Sequence, residues 1–133
     1  MTAPAKAAPK TPPKAKVKAA KAIAAEPFLR FYHSDKLRAR TLAVLGALEE
    51  ASDPEDHRDS LADLVVDLTE SGMDYYFLRA LKLAKAGFLV EQSARLGMSG
   101  AVKLIGTVSR KFIGRMDSAQ LLVVSRHIRE LAR

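Results

Sequence analysis

The chain has 133 residues, no cysteine and a formal net charge of +7. That length suits one domain, or one domain and a tail, and the lack of cysteine excludes a disulfide framework, a zinc knuckle and a thiol nucleophile. No stretch approaches the ~20 uncharged apolar residues of a membrane span. Even the most apolar region, Ala86 to Val108, is interrupted by Glu91, Arg95 and Lys103. The N-terminus has neither the apolar central run of a secretory signal nor the Arg/Ser-rich pattern of a transit peptide. A soluble, cytoplasmic protein is expected.

Charge is divided unevenly. Residues 1–25 carry six lysines (Lys6, Lys10, Lys14, Lys16, Lys18 and Lys21) and no acid, whereas Glu26 to Arg133 holds 16 basic and 15 acidic residues. The first 26 residues are mostly Ala, Lys and Pro. Pro4, Pro9, Pro12 and Pro13 each remove a backbone donor and fix φ, so Ala cannot carry a helix through them. Val17 and Ile23 are the only sizeable apolar residues after Met1. Such a segment buries too little to offset its chain entropy, and a disordered tail over 1–26 is expected. Beyond Pro13, the run KAKVKAAKAIAA is able to form a helix against an anionic surface. In composition this arm resembles the Ala/Lys/Pro tails of histone H1-like proteins and of some granule-associated bacterial proteins. The resemblance is confined to the arm and carries no motif. Such an arm acts as an electrostatic anchor on nucleic acid or another polyanion, or simply as a solubilising linker.

Residues 27–133 read as an all-α bundle of four to five helices. Ser34 is placed to cap a helix reaching about Ser52, with Leu37, Thr41, Leu45 and Leu48 on one stripe. Asp53 before Pro54 pairs an N-cap with a favoured first helical residue. The second helix is expected to run to Ser71 and close at Gly72. Asp74 then caps a third helix ending at Gly97, and Ser99 caps a fourth ending near Gly114. The alternative is one helix passing through Gly97–Met98–Ser99–Gly100 with a kink. Asp117 and Gln120 have capping-box spacing for a fifth helix through Leu131. Apolar residues recur at helical period in three sets: Leu61, Leu64, Val65 and Leu68; Ala101, Ile105, Val108 and Phe112; Leu121, Val124, Ile128 and Leu131. The third helix is apolar on more than one face, from Tyr75, Phe77 and Leu81 to Phe88, Leu89 and Val90. A central, buried helix is the expected cause, and an oligomer seam or lipid-facing surface the alternative.

The charges of this domain are also segregated. Asp56, Asp59, Asp63, Asp67 and Glu70 fall within about 80° of one face of the second helix, away from its leucines. The i,i+4 pairs Asp59–Asp63 and Asp63–Asp67 cost ~0.2–0.5 kcal/mol each in an isolated helix. A cationic surface against this row relieves that cost, which marks it as a candidate partner-binding face. Lys103 and Arg110 lie opposite the apolar stripe of the fourth helix, with Lys111 nearby. Arg126 and Arg129 stand in the same relation on the fifth. These five, with the six tail lysines, are the candidate contacts to nucleic acid or another polyanion.

Candidate chemistry is sparse. His57 lies among Asp53, Glu55, Asp56 and Asp59, and Asp53–His57 has ligand spacing. No second cluster completes a coordination sphere, so no metal site is assigned. His33 lies in the entry segment PFLRFYHSD, whose Phe28, Phe31 and Tyr32 are expected to pack on the bundle. No nucleophile or phosphate-cradling loop is present, and neither an enzymatic activity nor a cofactor nor a small-molecule substrate is expected. The segment SARLGMSGAVKLIG resembles a helix-turn-helix at Leu96, Gly97 and Met98. It departs at Lys103, where such units bury an apolar residue, and Gly100 and Gly106 weaken its reading helix.

These features lead to a non-enzymatic binding protein. Its helical domain, self-associating in one variant of this expectation, is held to nucleic acid or another polyanion by the lysine arm, without sequence preference. The alternative is a phasin-like structural protein that meets a membrane or storage-granule surface through the apolar helices of 74–114.

Overall fold

Ser34 starts the first helix as its position predicts. Its hydroxyl accepts the Leu37 N–H at 3.0 Å, and helix α1 runs Asp35–Glu50. The structure, a computed structural model, describes residues 27–132, and the Ala/Lys/Pro arm expected to be disordered lies outside the described residues. The chain divides into two units, Met1–Arg30 and Phe31–Arg133. In the first, residues 27–30 form no regular element, and Phe28 is exposed with the Arg30 guanidinium 4.9 Å from its ring centroid. The second unit is all helical. Every regular element among the described residues is a helix.

Asp53 and Pro54 open a 3₁₀ turn, Pro54–His57, with the Asp53 carboxylate accepting the Glu55 N–H at 3.1 Å. Helix α2, Arg58–Met73, follows directly. It does not close at Gly72. Asp74, expected to cap a new helix, keeps right-handed helical dihedrals, and a π-helical turn over Asp74–Leu78 leads straight into a short helix α3, Arg79–Leu83. The chain turns only after Ala84. Lys85 takes the left-handed conformation (φ 53°), the Lys85 N–H reaches the Lys82 carbonyl at 3.0 Å, and the Ala86 N–H reaches back to the Leu81 carbonyl at 3.0 Å. These are the two bonds of a Schellman closure, with a lysine where glycine is usual. Gly87, at φ 105°, completes the reversal.

Helix α4 then runs unbroken from Phe88 to Ile113, so Gly97, Met98, Ser99 and Gly100 lie inside one helix. Of the two expectations, continuation through this segment is the one adopted, and no turn exists there for a helix-turn-helix. Mid-helix glycine costs ~1 kcal/mol relative to Ala, which weakens a helix but does not end it. Helix α5, Ser118–Leu131, begins with the expected capping box. Gln120 N–H donates to the Asp117 carboxylate at 2.8 Å, and Asp117 N–H donates to the Gln120 side-chain oxygen at 3.0 Å.

The core gathers at one end. Leu45 and Leu48 of α1, Leu61, Ala62 and Leu64 of α2, Ile113 of α4 and Leu121 of α5 form a single buried cluster. Helix α1 packs on α2 and α5, while α4 packs chiefly on α2. At that last contact Gly106 is buried, and a Cβ there would lie 3.3 Å from a Val66 methyl. Close approach of the two backbones is what keeps Gly106 free of a side chain. Between Val65 and Ile105 only Leu78 is buried.

Two substitutions test the new boundaries. Gly97→Ala, with open space around its Cβ position, should stabilise the fold by up to ~1 kcal/mol. Lys85→Gly should stabilise it by a similar amount, about 1 kcal/mol, by relieving a left-handed non-glycine residue. Urea denaturation reads both. Destabilisation by Gly97→Ala would restore a turn at that glycine.

Candidate functional site

Helix α4 presents its apolar residues outward. Ala101, Ile105, Val108 and Phe112, the stripe expected to face the core, lie roughly 110° around the helix from Gly106 and Ile113, which do face it. Phe112 is 63% exposed. Leu104 and Val90 join this side, and Leu89 and Leu96, roughly 140° round from its centre, are exposed on the flank at 79% and 76%. Eight large apolar side chains of this one 26-residue helix are exposed. The apolar third helix of the sequence is therefore not central. Of Tyr75, Tyr76, Phe77, Leu78, Leu81 and Leu83, only Leu78 is buried. The sequence carries the apolar residues plainly, but whether they face inward depends on a neighbour that α1 and α5 do not supply at this end.

The outward stripe explains the electrostatics. Arg110 was placed opposite that stripe, and so it turns toward α2, where its guanidinium meets Asp63 at 2.6 Å. Arg40 of α1 pairs with Asp67. The acid row on α2 is thus met from both sides by arginines of its own bundle. Asp56, Asp59 and Glu70 are exposed and form no ion pair among the described residues. On α5, Arg129 holds Glu49 in a two-point contact, Nη2 to Oε1 at 2.8 Å and Nε to Oε2 at 3.1 Å. The buried Ser125 hydroxyl donates to the same carboxylate at 2.7 Å. Arg58 donates from Nε to the Met116 carbonyl at 2.9 Å, tying the start of α2 to the α4–α5 connection.

Lys103, Lys111 and Arg126 are exposed and form no ion pair among the described residues. Lys111 borders the apolar face of α4, and Lys103 lies roughly opposite it. The six tail lysines lie outside the described residues. No helix of the described residues is long and apolar enough to cross a membrane.

Residue spacing did not reveal a groove beside the π turn. Phe31 and Tyr32 set their rings edge-on to Tyr76 and Tyr75, at 6.2 Å and 5.9 Å between centroids. The doublets Phe31–Tyr32 and Tyr75–Tyr76 were the available signal. Between residues 32–34 and the run from the end of α2 through the π turn and α3 to α4 lies a groove of about 520 Å³, lined by Tyr32, Tyr75, Asp74, Arg79, Lys82 and Arg95 among others.

Compared with known proteins, the chain matches no family model, no curated protein and no solved structure.

The Glu49 contact makes a pH prediction. Hydrogen bonding by Arg129 holds the Glu49 carboxyl below its ordinary value of 4.5, against the opposing effect of partial burial and with help from Ser125. A lowered folded-state value stabilises the fold at neutral pH and loses that effect as pH falls through it. In thermal melts, the gap between wild type and Glu49→Gln should be widest near pH 7 and shrink as the pH falls below the ordinary value of 4.5. A gap that is constant with pH would remove the charge of Glu49 from the stability of the α1–α5 contact.

Proposed function

We propose that this is a non-enzymatic attachment protein that coats an anionic lipid boundary, of a membrane or a storage granule, with the outer face of α4. The observation that carries the reading is the eight exposed apolar side chains of that helix, five of which (Val90, Leu104, Ile105, Val108 and Phe112) lie within roughly 100° of one another. Contiguous apolar surface beyond roughly 300–600 Å² is unusual on a monomer and marks an interaction site. Each leucine fully withdrawn from water contributes about 1.5–3 kcal/mol. Lys111 at its edge buries its stem and leaves its ammonium group at headgroup level, as an interfacial helix requires.

Charge selects among the possible occupants. From Tyr75 to Phe112 there are seven bases and one acid, a formal +6. A second copy docked on this face would bring two such surfaces together, whereas an anionic boundary neutralises them. A nucleic acid takes the charge but leaves the leucines and phenylalanines in water.

Flotation with vesicles of phosphatidylglycerol and phosphatidylcholine tests the reading. The wild type should float, and Leu96→Glu with Leu104→Glu should lower partitioning at least ~10-fold, since one leucine alone is worth that factor. Unchanged flotation of the double variant would sink it.

The six acid-free lysines of residues 1–25 favour a second use, sequence-independent attachment to nucleic acid. Six phosphate contacts give a slope of log K against log salt of about −5. A gel retardation assay of the full chain against a truncation starting at Ala25 should yield that slope for the former and a much shallower one for the latter. Equal binding by both would exclude the arm.

A further inference from the structure

The geometry points to the groove at the π turn as a binding site for a phosphate monoester. Its wall is built from two elements far apart in sequence. The entry segment supplies Tyr32, and the π turn with the start of α3 supplies Tyr75, Arg79 and Lys82. Arg95 closes it from α4. A π turn interrupts the regular helical ladder at a cost, and such turns recur at functional sites. Here it lies where the aromatic and cationic walls meet.

The charge balance identifies the ligand class. Arg79, Lys82 and Arg95 bring three cations to the groove and Asp74 one carboxylate, a net of +2 by subtraction. A phosphate monoester carries about −1.5 to −2 near neutral pH, with its second pKa near 6. A carboxylate or a phosphodiester, each a monoanion, leaves one cation unanswered. None of the three cations forms an ion pair among the described residues. Glu70 lies beyond Arg95, on the adjoining smaller groove, and forms none either. Arg79 is held over the Tyr75 ring at 5.2 Å, which fixes its position while leaving its N–H donors available. Two forked guanidiniums and one compact ammonium suit a tetrahedral anion with several acceptor oxygens. The volume, about 520 Å³, lies within the range of small-molecule sites.

The phosphate reaches the groove either on a soluble ester or as the headgroup of a lipid, and in the second case the site adds to the boundary contact proposed above. The full chain reports binding without a label. It has no tryptophan and three tyrosines. Tyr32 and Tyr75 line the groove, and the Tyr76 ring is 5.7 Å from that of Tyr75. Tyrosine emission is titrated with glycerol 3-phosphate, and flotation is measured with vesicles of phosphatidate in phosphatidylcholine. The comparison protein carries Arg79→Gln, Lys82→Gln and Arg95→Gln. Arg115→Gln, at the α4–α5 connection and outside the groove, is the control, and circular dichroism verifies that helix content is kept. Should the triple variant lose helix, Arg95→Gln alone is read instead.

A saturable change with glycerol 3-phosphate that weakens at least ~10-fold in the variant, and not in Arg115→Gln, supports a soluble ester; that factor matches the loss of one charge-assisted contact. Silence toward glycerol 3-phosphate, with phosphatidate flotation falling by the same factor in the variant alone, supports a lipid headgroup. Responses of the variant equal to wild type in both assays overturn the site. The apolar-face reading fails separately, through Leu96→Glu with Leu104→Glu on phosphatidylglycerol vesicles.

Discussion

One packing contact carries the fold. Leu45 and Leu48 of α1, Leu61 and Leu64 of α2 and Leu121 of α5 are fully buried against one another, with Ile113 closing the cluster from the end of α4. Truncating any one of these leucines to Ala should cost about 2–5 kcal/mol, a large fraction of the 5–15 kcal/mol that holds a typical domain. Because α1 and α5 are short (16 and 14 residues), they cover only one end of the longer pair made by α4 and by α2 continued through the π turn into α3. What lies beyond that end is a two-helix hairpin, with one buried residue, Leu78, between Val65 and Ile105.

That lopsided core governs where charge is used. With the stripe from Ala101 to Phe112 facing out, the opposite side of α4 comes to α2 and brings Arg110 to Asp63. Arg40 reaches Asp67 from α1. Two members of the mutually repelling acid row are thereby answered, and the segregation of acids and bases along the chain becomes cross-helix pairing in three dimensions. These pairs are exposed and worth little individually, about 0–1 kcal/mol. Their effect is on register: Asp63 and Arg110 meet only when α4 is turned with its apolar residues outward.

The uncovered hairpin is where the molecule has surface to spend on a partner. An apolar helix face with Lys111 at its edge suits an amphiphilic boundary, since each component of the face has a matching layer to enter. The groove at the π turn lies on the same hairpin but works differently, through three cations and two aromatic walls. Both proposed surfaces therefore avoid the buried end, where leucine packing leaves no freedom for display.

The local signals in the chain were sufficient for the helix starts. Ser34, Asp53–Pro54 and the Asp117–Gln120 box each act within two or three residues, so their geometry is written in adjacent letters. The leucine stripes of α1 and α2 were legible for a related reason, being strongly periodic. Three matters were decided only in three dimensions. The chain reverses at Lys85–Gly87 and not at Gly72 or Gly97, because a lysine took the left-handed position that glycine usually marks. Ile105, Val108 and Phe112 face outward, because burial depends on which helices are long enough to reach them, and periodicity specifies a face but not its neighbour. Tyr32, Tyr75, Arg79 and Arg95 share a groove, because the entry segment folds back on a π turn that no local residue pattern announces.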